Sequence, residues 1–169
     1  MDDTLSYRIR EVRESDLNAL EWDGEYTHFR RIYKRAFEES KLGSRILLVV
    51  ELEMEIVGQI FLHLKSKWNR HFAPERTVFL HSFRVKPRFR KMGIGTSLLQ
   101  EAEEMLLDYG FSRAVISVGK DNDPARLMYE KLGYKIFTED PGEWSYFDEH
   151  GVLQDVIEPS YVLAKRISI

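Results

Sequence analysis

Two stretches of the sequence carry residue types at spacings that can do chemistry. In the first, Val85-Lys-Pro-Arg-Phe-Arg90-Lys-Met-Gly93-Ile-Gly95-Thr96, five basic residues (Arg84, Lys86, Arg88, Arg90 and Lys91) run without an intervening acid into a Gly-x-Gly pair. Ile94, Leu98, Leu99, Ala102, Met105, Leu106 and Tyr109 then follow helical spacing, so the glycines stand where a helix begins. The free N–H groups and partial positive charge of a helix N-terminus favour an anion. Glycine at 93 and 95 removes the Cβ atoms that would keep a phosphate from the backbone. The stretch reads as a phosphate-binding turn, but not as a Walker loop, because no G-x-x-x-x-G-K-[ST] string exists. A dinucleotide fingerprint fails too: Leu98 stands where a third small residue belongs, and Arg113 and Ala114 where an acid belongs. The second stretch is Asn122-x-x-Ala125-x-x-x-Tyr129-Glu-Lys-Leu-Gly-Tyr134, in which a carboxamide able to donate and accept precedes a phenol.

Both stretches need a scaffold. Residues 7–12 read as a strand, and Ser15 or Asp16 caps a short helix through Leu20. Residues 25–41 place Phe29, Ile32, Tyr33, Ala36 and Phe37 on one helical face, closed by Gly43. Residues 45–51 and 56–64 read as a hairpin around Glu53-Met54-Glu55, residues 65–75 as a loop, and residues 77–85 as a strand ended by Lys86-Pro87. After the helix at 93–109 come a strand at 113–118 and a short helix with Asp123 as cap, Pro124 in its first turn and Gly133 at its end. Strands at 134–138, 144–147 and about 156–165 follow, the last two joined by a turn at Asp148-Glu149-His150-Gly151. This order predicts one α/β domain over residues 1–169, built on a mixed sheet.

The residues resemble the GNAT superfamily of N-acetyltransferases. Arg90-x-x-Gly93-x-Gly95 is similar to that family's acetyl-CoA pyrophosphate loop, and Phe83-Arg-Val85-Lys-Pro to the strand before it. The Asn122-to-Tyr134 string is similar to the second half of the cofactor site, and the opening Tyr7-Arg-Ile-Arg-Glu-Val-Arg-Glu-Ser-Asp-Leu17 to the first strand and helix. The resemblance implies a central, mostly antiparallel sheet flanked by helices, and direct attack of an amine on the thioester of acetyl-CoA. It implies that Phe83, Arg84 and Val85 pair through their backbone with the pantetheine arm, Val85 N–H polarising the thioester carbonyl. Arg90, Lys91, Met92, Gly93, Ile94, Gly95 and Thr96 would hold the pyrophosphate, and Asn122, Ala125 and Tyr129 the remainder. Asn122 has a second, lesser reading as a turn residue before a helix. Tyr129 reads as the acid for the leaving thiolate, or as a core aromatic.

For the general base the family's Glu, five residues before the Asn, is replaced by Ser117. Alternation puts His81 on the face of Phe83 and Val85, and imidazole suits a base, although a lone strand histidine is often structural. Glu51 and Glu53 are the alternatives. Glu21, Trp22, Asp23, Glu25 and Tyr26, with Trp144, Tyr146 and Phe147 as a second wall, suit a cationic acceptor amine, of a small molecule or a peptide. A silent CoA-binding module and a longer acyl donor stay open at this level. A net charge of −3 argues against a general nucleic-acid partner. The absence of cysteine removes thiolate chemistry and Cys-ligated metal, His28, His63, His71 and His150 show no ligand spacing, and no metal is expected. The acidic opening Met1-Asp2-Asp3-Thr4 is unlike a signal peptide, and the apolar run at 46–50 is too short to span a bilayer. A cytoplasmic protein with no membrane partner is expected, and a homodimer formed through a sheet edge left by the late strands.

Overall fold

A computed structural model describes residues 6–64 and 76–168; the loop expected at 65–75, with His71, lies outside them. The strands are β1 (Arg8–Glu11), β2 (Arg45–Leu52), β3 (Glu55–His63), β4 (Thr77–Val85), β5 (Arg113–Gly119), β6 (Lys135–Asp140), β7 (Glu143–Phe147), β8 (Leu153–Ile157) and β9 (Ser160–Arg166). The helices are α1 (Arg30–Lys41), α2 (Ile94–Asp108) and α3 (Asp123–Lys131). A seven-stranded sheet has the order β1-β2-β3-β4-β5-β9-β6, and β7-β8 forms a separate ribbon. Among the described residues only the β4–β5 pair is parallel. The expected mixed, mostly antiparallel sheet with flanking helices is what forms.

The continuous apolar run of β2 is explained by burial on both faces. Ile46, Leu48 and Val50 join Leu98, Leu99, Ala102 and Leu106 of α2 in one core. Leu47 and Val49 face Tyr33 and Ala36 of α1, with Leu20 and Phe61, in a second. Glu53 and Met54, at φ +48° and +69°, make the two-residue turn between β2 and β3, the twist such a hairpin prefers.

Four local expectations are corrected. The first helix is a 3-10 segment at Glu14–Gly24, broken where Trp22 and Asp23 turn left-handed, and α1 does not begin until Arg30. Asp16 does not cap a regular helix; its carboxylate accepts from Arg13 N–H at 2.7 Å and from both terminal nitrogens of Arg10 at 2.7 and 2.9 Å. The cap of α3 is Asn122, not Asp123: its Oδ1 accepts from Ala125 N–H. The Asp148–Gly151 turn does form, but it returns along β8, and Pro159 separates β8 from β9. β9 then enters the main sheet between β5 and β6, so its backbone is paired on both sides and the free edge belongs to β6. Among the described residues no helix is long and apolar enough to cross a membrane.

Candidate active site

Parallel pairing of β4 with β5 runs from Thr77↔Arg113 to Leu80↔Ile116 and stops, although β4 continues to Val85 and β5 to Gly119. The cause lies in β4. Between the pairs Phe61↔His81 and Gln59↔Arg84, one residue of β3 faces two of β4, Ser82 and Phe83, and Ser82 has φ +53°. This is a β-bulge, which bends and twists its strand. The two strands splay and leave a cleft of about 180 Å³, lined by Ser82, Phe83, Ser117, Asn122, Tyr129 and Glu158 among others. A second depression of about 210 Å³, lined by Glu14, Asn18, Glu21, Tyr33, Lys34 and Glu38 among others, shares no residue with it.

Beyond β4 the chain makes a turn at Pro87–Phe89 and enters α2 from Gly93, the N-cap, at φ +81°. A Cβ at 93 would meet nothing within 4 Å; glycine is required there by its left-handed backbone, not by space. A Cβ at Gly95 would only touch Phe83, Val85 and Met128 at ordinary distance. Ser97 N–H bonds to Gly93 O, so the N–H groups of the preceding turn have no carbonyl within the helix. Arg90 Nε donates to Val85 O at 2.8 Å and fixes the loop to the strand. Lys86 and Arg88 turn to Glu55, and Arg84 faces the opposite side of the sheet. Among the described residues, Arg84, Arg90 and Lys91 form no ion pair, and of these Arg90 and Lys91 stay at the helix entrance. Met92 is exposed, Ile94 is buried in the α2 core, and Thr96 is partly buried.

Tyr129 is 5% exposed and stacks on Phe83 at 6.0 Å between centroids, at the other lip of the cleft. Burial alone pushes its pKa up from 10.0, so the phenol keeps its proton. Asn122 spends its oxygen on the α3 cap, at a long 3.4 Å, while Ala125, whose N–H it receives, packs on the α2 core.

The bulge also overturns the alternation argument for His81. Phe83 and Val85 pack toward α2. His81 points the other way, 5.7 Å from both Phe61 and Phe79. Its Nε2 lies 2.8 Å from Arg45 Nη1, and its Nδ1 3.1 Å from Ser82 Oγ. A guanidinium only donates, so Nε2 is the acceptor and Nδ1 carries the proton. Burial, and next the Arg45 charge, lower its pKa from 6.5 to about 3. The ring is neutral, with no lone pair free for an amine. Glu51 is held by Arg8 and Arg10, and Glu53 stands in the β2–β3 turn.

The aromatic cluster forms and is already filled. The Arg84 guanidinium lies 3.8 Å from the Tyr26 centroid and donates to the Tyr33 hydroxyl, with Trp22 beside it. Glu21 is bound through both oxygens by Arg30, which holds its carboxyl below the usual range. Trp144 and Tyr146 join the cluster through Phe29, at 6.2 and 5.1 Å, as the expected second wall, whereas Phe147 is exposed.

Sequence reasoning missed Glu158, the one carboxylate that lines the cleft among the described residues. Its backbone is clamped: Glu158 N–H donates to Gly142 O at 3.0 Å, and Ser160 Oγ donates to Glu158 O at 2.8 Å. A Cβ on Gly142 would sit 1.8 Å from Glu158 O. No motif flags Glu158, because its place depends on two turns that meet only in the fold. Among the described residues no His, Asp or Glu cluster could hold a metal ion.

A family model described as acetyltransferase (GNAT) family matches residues 9–134. The chain belongs to the GNAT acetyltransferase family. Thialysine N-epsilon-acetyltransferase of Mus musculus is 28% identical over 170 residues, covering 89% of this chain and 97% of that protein. An N-alpha-acetyltransferase of Sulfurisphaera tokodaii is 29% identical over 139 residues, covering 76% and 80%. The crystal structure of PaiA N-acetyltransferase from Thermoplasma acidophilum in complex with coenzyme A has the same fold, with TM-score 0.68 and 17% identity over 95% of this chain and 99% of that one. The GNAT match takes in the splayed strands, the loop and α3, and ends before the β7–β8 ribbon and Glu158.

Proposed function

We propose that this GNAT N-acetyltransferase moves the acetyl group of acetyl-CoA onto a primary amine by direct attack. The observation that carries the reading is the cleft: an open strand edge at 82–85 leads from the Arg90–Gly93 helix entrance to a buried, protonated tyrosine. An amide-rich arm fits such an edge as an added strand, and a diphosphate fits the free N–H groups beside Arg90 and Lys91. When bound, acetyl-CoA supplies an activated acyl carbon and a thiolate leaving group. The chain does the rest. Val85 N–H polarises the carbonyl, and Asn122 and Ala125 border the arm.

The N–C bond forms as the C–S bond breaks, the amine proton passes to Glu158 directly or through one water, and Tyr129 hands its proton to the sulfur. Relative to a free thiol near ~8.5, a phenol above ~10 gives up its proton at a cost of about 2 kcal/mol in water. Burial offsets this by raising the thiolate's proton affinity as well.

The exposed apolar side chains Trp144, Phe147, Leu153 and Ile157 of the β7–β8 ribbon offer a face to a second copy, and a homodimer is part of this reading. Light scattering tests it; a mass near 20.0 kDa refutes it. The activity test is a primary-amine panel followed by free CoA release, with Tyr129→Phe beside wild type. Wild type should release CoA in step with acetylated product, and the variant should lose roughly 10²–10⁴ in kcat. CoA binding without release from any amine would refute catalysis, and a variant within threefold would remove the acid role.

A further inference from the structure

Beside the cleft stands a cation that aromatic faces meet but no carboxylate answers among the described residues. Apart from its bond to the Tyr33 hydroxyl, the Arg84 guanidinium has no hydrogen-bond or carboxylate partner among the described residues. The acid of the aromatic cluster, Glu21, is committed to Arg30. Arg84 Nε, Trp22 Nε1 and both polar atoms of Gln59 are buried without a hydrogen-bond partner. Gln59 is 0% exposed and stands directly opposite Arg84 in the β3–β4 register. Arg84 also lines the cleft that holds Tyr129 and Glu158.

Leaving a buried donor or a guanidinium unpaired is costly, so such a set points to a group that arrives with the ligand. Three of the orphan groups are N–H donors. Donors answer an anion with several acceptor oxygens, and a planar guanidinium fork answers a carboxylate; an ammonium, which only donates, gains nothing from them. The same guanidinium fills the aromatic cage and opposes a second cation there.

We propose that the acceptor amine carries its own carboxylate, which pairs with Arg84, so that the substrate is an amino-acid-like zwitterion and not a polyamine. This rests on the acetyl-transfer reading of the cleft. The fork sets the carboxylate end, leaving the amine to face the thioester and Glu158.

The test uses matched acceptors: α-amino acids with a side-chain amine, each paired with the diamine left by removing its carboxylate, and one phosphate-bearing amine. Each is measured by CoA release from acetyl-CoA and by calorimetric binding to the protein–CoA complex. Wild type should favour the carboxylate-bearing partner by roughly 10–100-fold in kcat/KM and in Kd, the range of a charge-assisted fork. Arg84→Met should bring that ratio to within about threefold of one, and Arg84→Lys, which keeps charge but not the fork, should fall between. If neither variant folds, the wild-type ratio decides by itself. Equal use of both partners, preference for the diamine or the phosphate, or binding of no carboxylate acceptor overturns the proposal. Preferential binding without CoA release overturns the transfer reading and leaves the carboxylate site standing, whereas CoA release without preference does the reverse.

Discussion

His81 makes the stability of this fold depend on pH in a defined window. Its folded pKa is about 3 against 6.5 for the free side chain, so between these values the unfolded chain binds a proton that the native state refuses. Stability from the neutral ring is therefore complete above about pH 6.5 and is lost as pH falls toward 3, at ~1.36 kcal/mol per pH unit. By pH 5.0 the loss reaches about 2 kcal/mol, a large share of a typical 5–15 kcal/mol total. It is an upper bound, because solvent reaches part of the residue. The perturbation is His81→Gln, whose carboxamide accepts from Arg45 but does not titrate. Urea unfolding at pH 7.5, 6.0 and 5.0 reads the difference; with a slope of roughly 2 kcal/mol/M, the wild-type midpoint should fall by up to about 1 M more than that of the variant. Imidazole NMR shifts give the direct check. Parallel curves for the two proteins, or a His81 resonance titrating near pH 6.5, would show that the ring is solvated and that the Arg45 bond does not hold it neutral.

Three further outcomes are expected. Gly93→Val, which forces a β-branched residue to φ +81°, should weaken CoA binding at least tenfold by calorimetry, while Gly93→Asn, which tolerates that backbone, should stay within about threefold. Asp16→Asn should cost about 1–3 kcal/mol in urea unfolding at pH 7, because the partly buried Arg10 loses the nearer of its two carboxylates and keeps only Glu51 at 3.4 Å; the folded pKa of Asp16 is lowered, so the gap should close only below about pH 4, apart from the His81 window. Gly142→Ala, with its new methyl 1.8 Å from Glu158 O, should lower the melting temperature by several degrees and reduce kcat with little change in CoA affinity, since residue 142 itself does not line the cleft. An unchanged kcat in a folded Gly142→Ala protein would count against Glu158 as the proton acceptor.

Elements with strong period or punctuation are legible in the sequence itself. The α2 stripe from Ile94 to Leu106, the two-faced apolar run of β2 and the stop at Lys86-Pro87 all stand where their residue types predict. The glycine at one helix entrance and the helix start beside Pro124 are legible because both signals are local. What the residues concealed was non-local. One left-handed serine at 82 inverts the facing of everything after it in β4, and nothing in the string His81-Ser-Phe83 announces a bulge. The basic run read as one anion patch because side-chain direction depends on that same bulge, which sends Arg84 to the aromatic side. The place of the late strands is not legible, because Pro159 reads as an edge signal, whereas it only breaks the chain between a ribbon strand and an interior one.

The short seam between β4 and β5 has a mechanical consequence. Among the described residues, four register pairs and the bonds from Ser112 and Arg113 N–H to Arg76 O join the half-sheet of β1–β4 to that of β5, β9 and β6 along the backbone. A donor lying along residues 82–85 would therefore act as a removable rung, and each turnover would zip and unzip part of the protein's own ladder. Departure of spent CoA then resembles a strand leaving a sheet, with amide protons near the gap exposed to exchange in every empty interval. Stiffness across the seam, as much as affinity at the phosphates, would set how long product lingers.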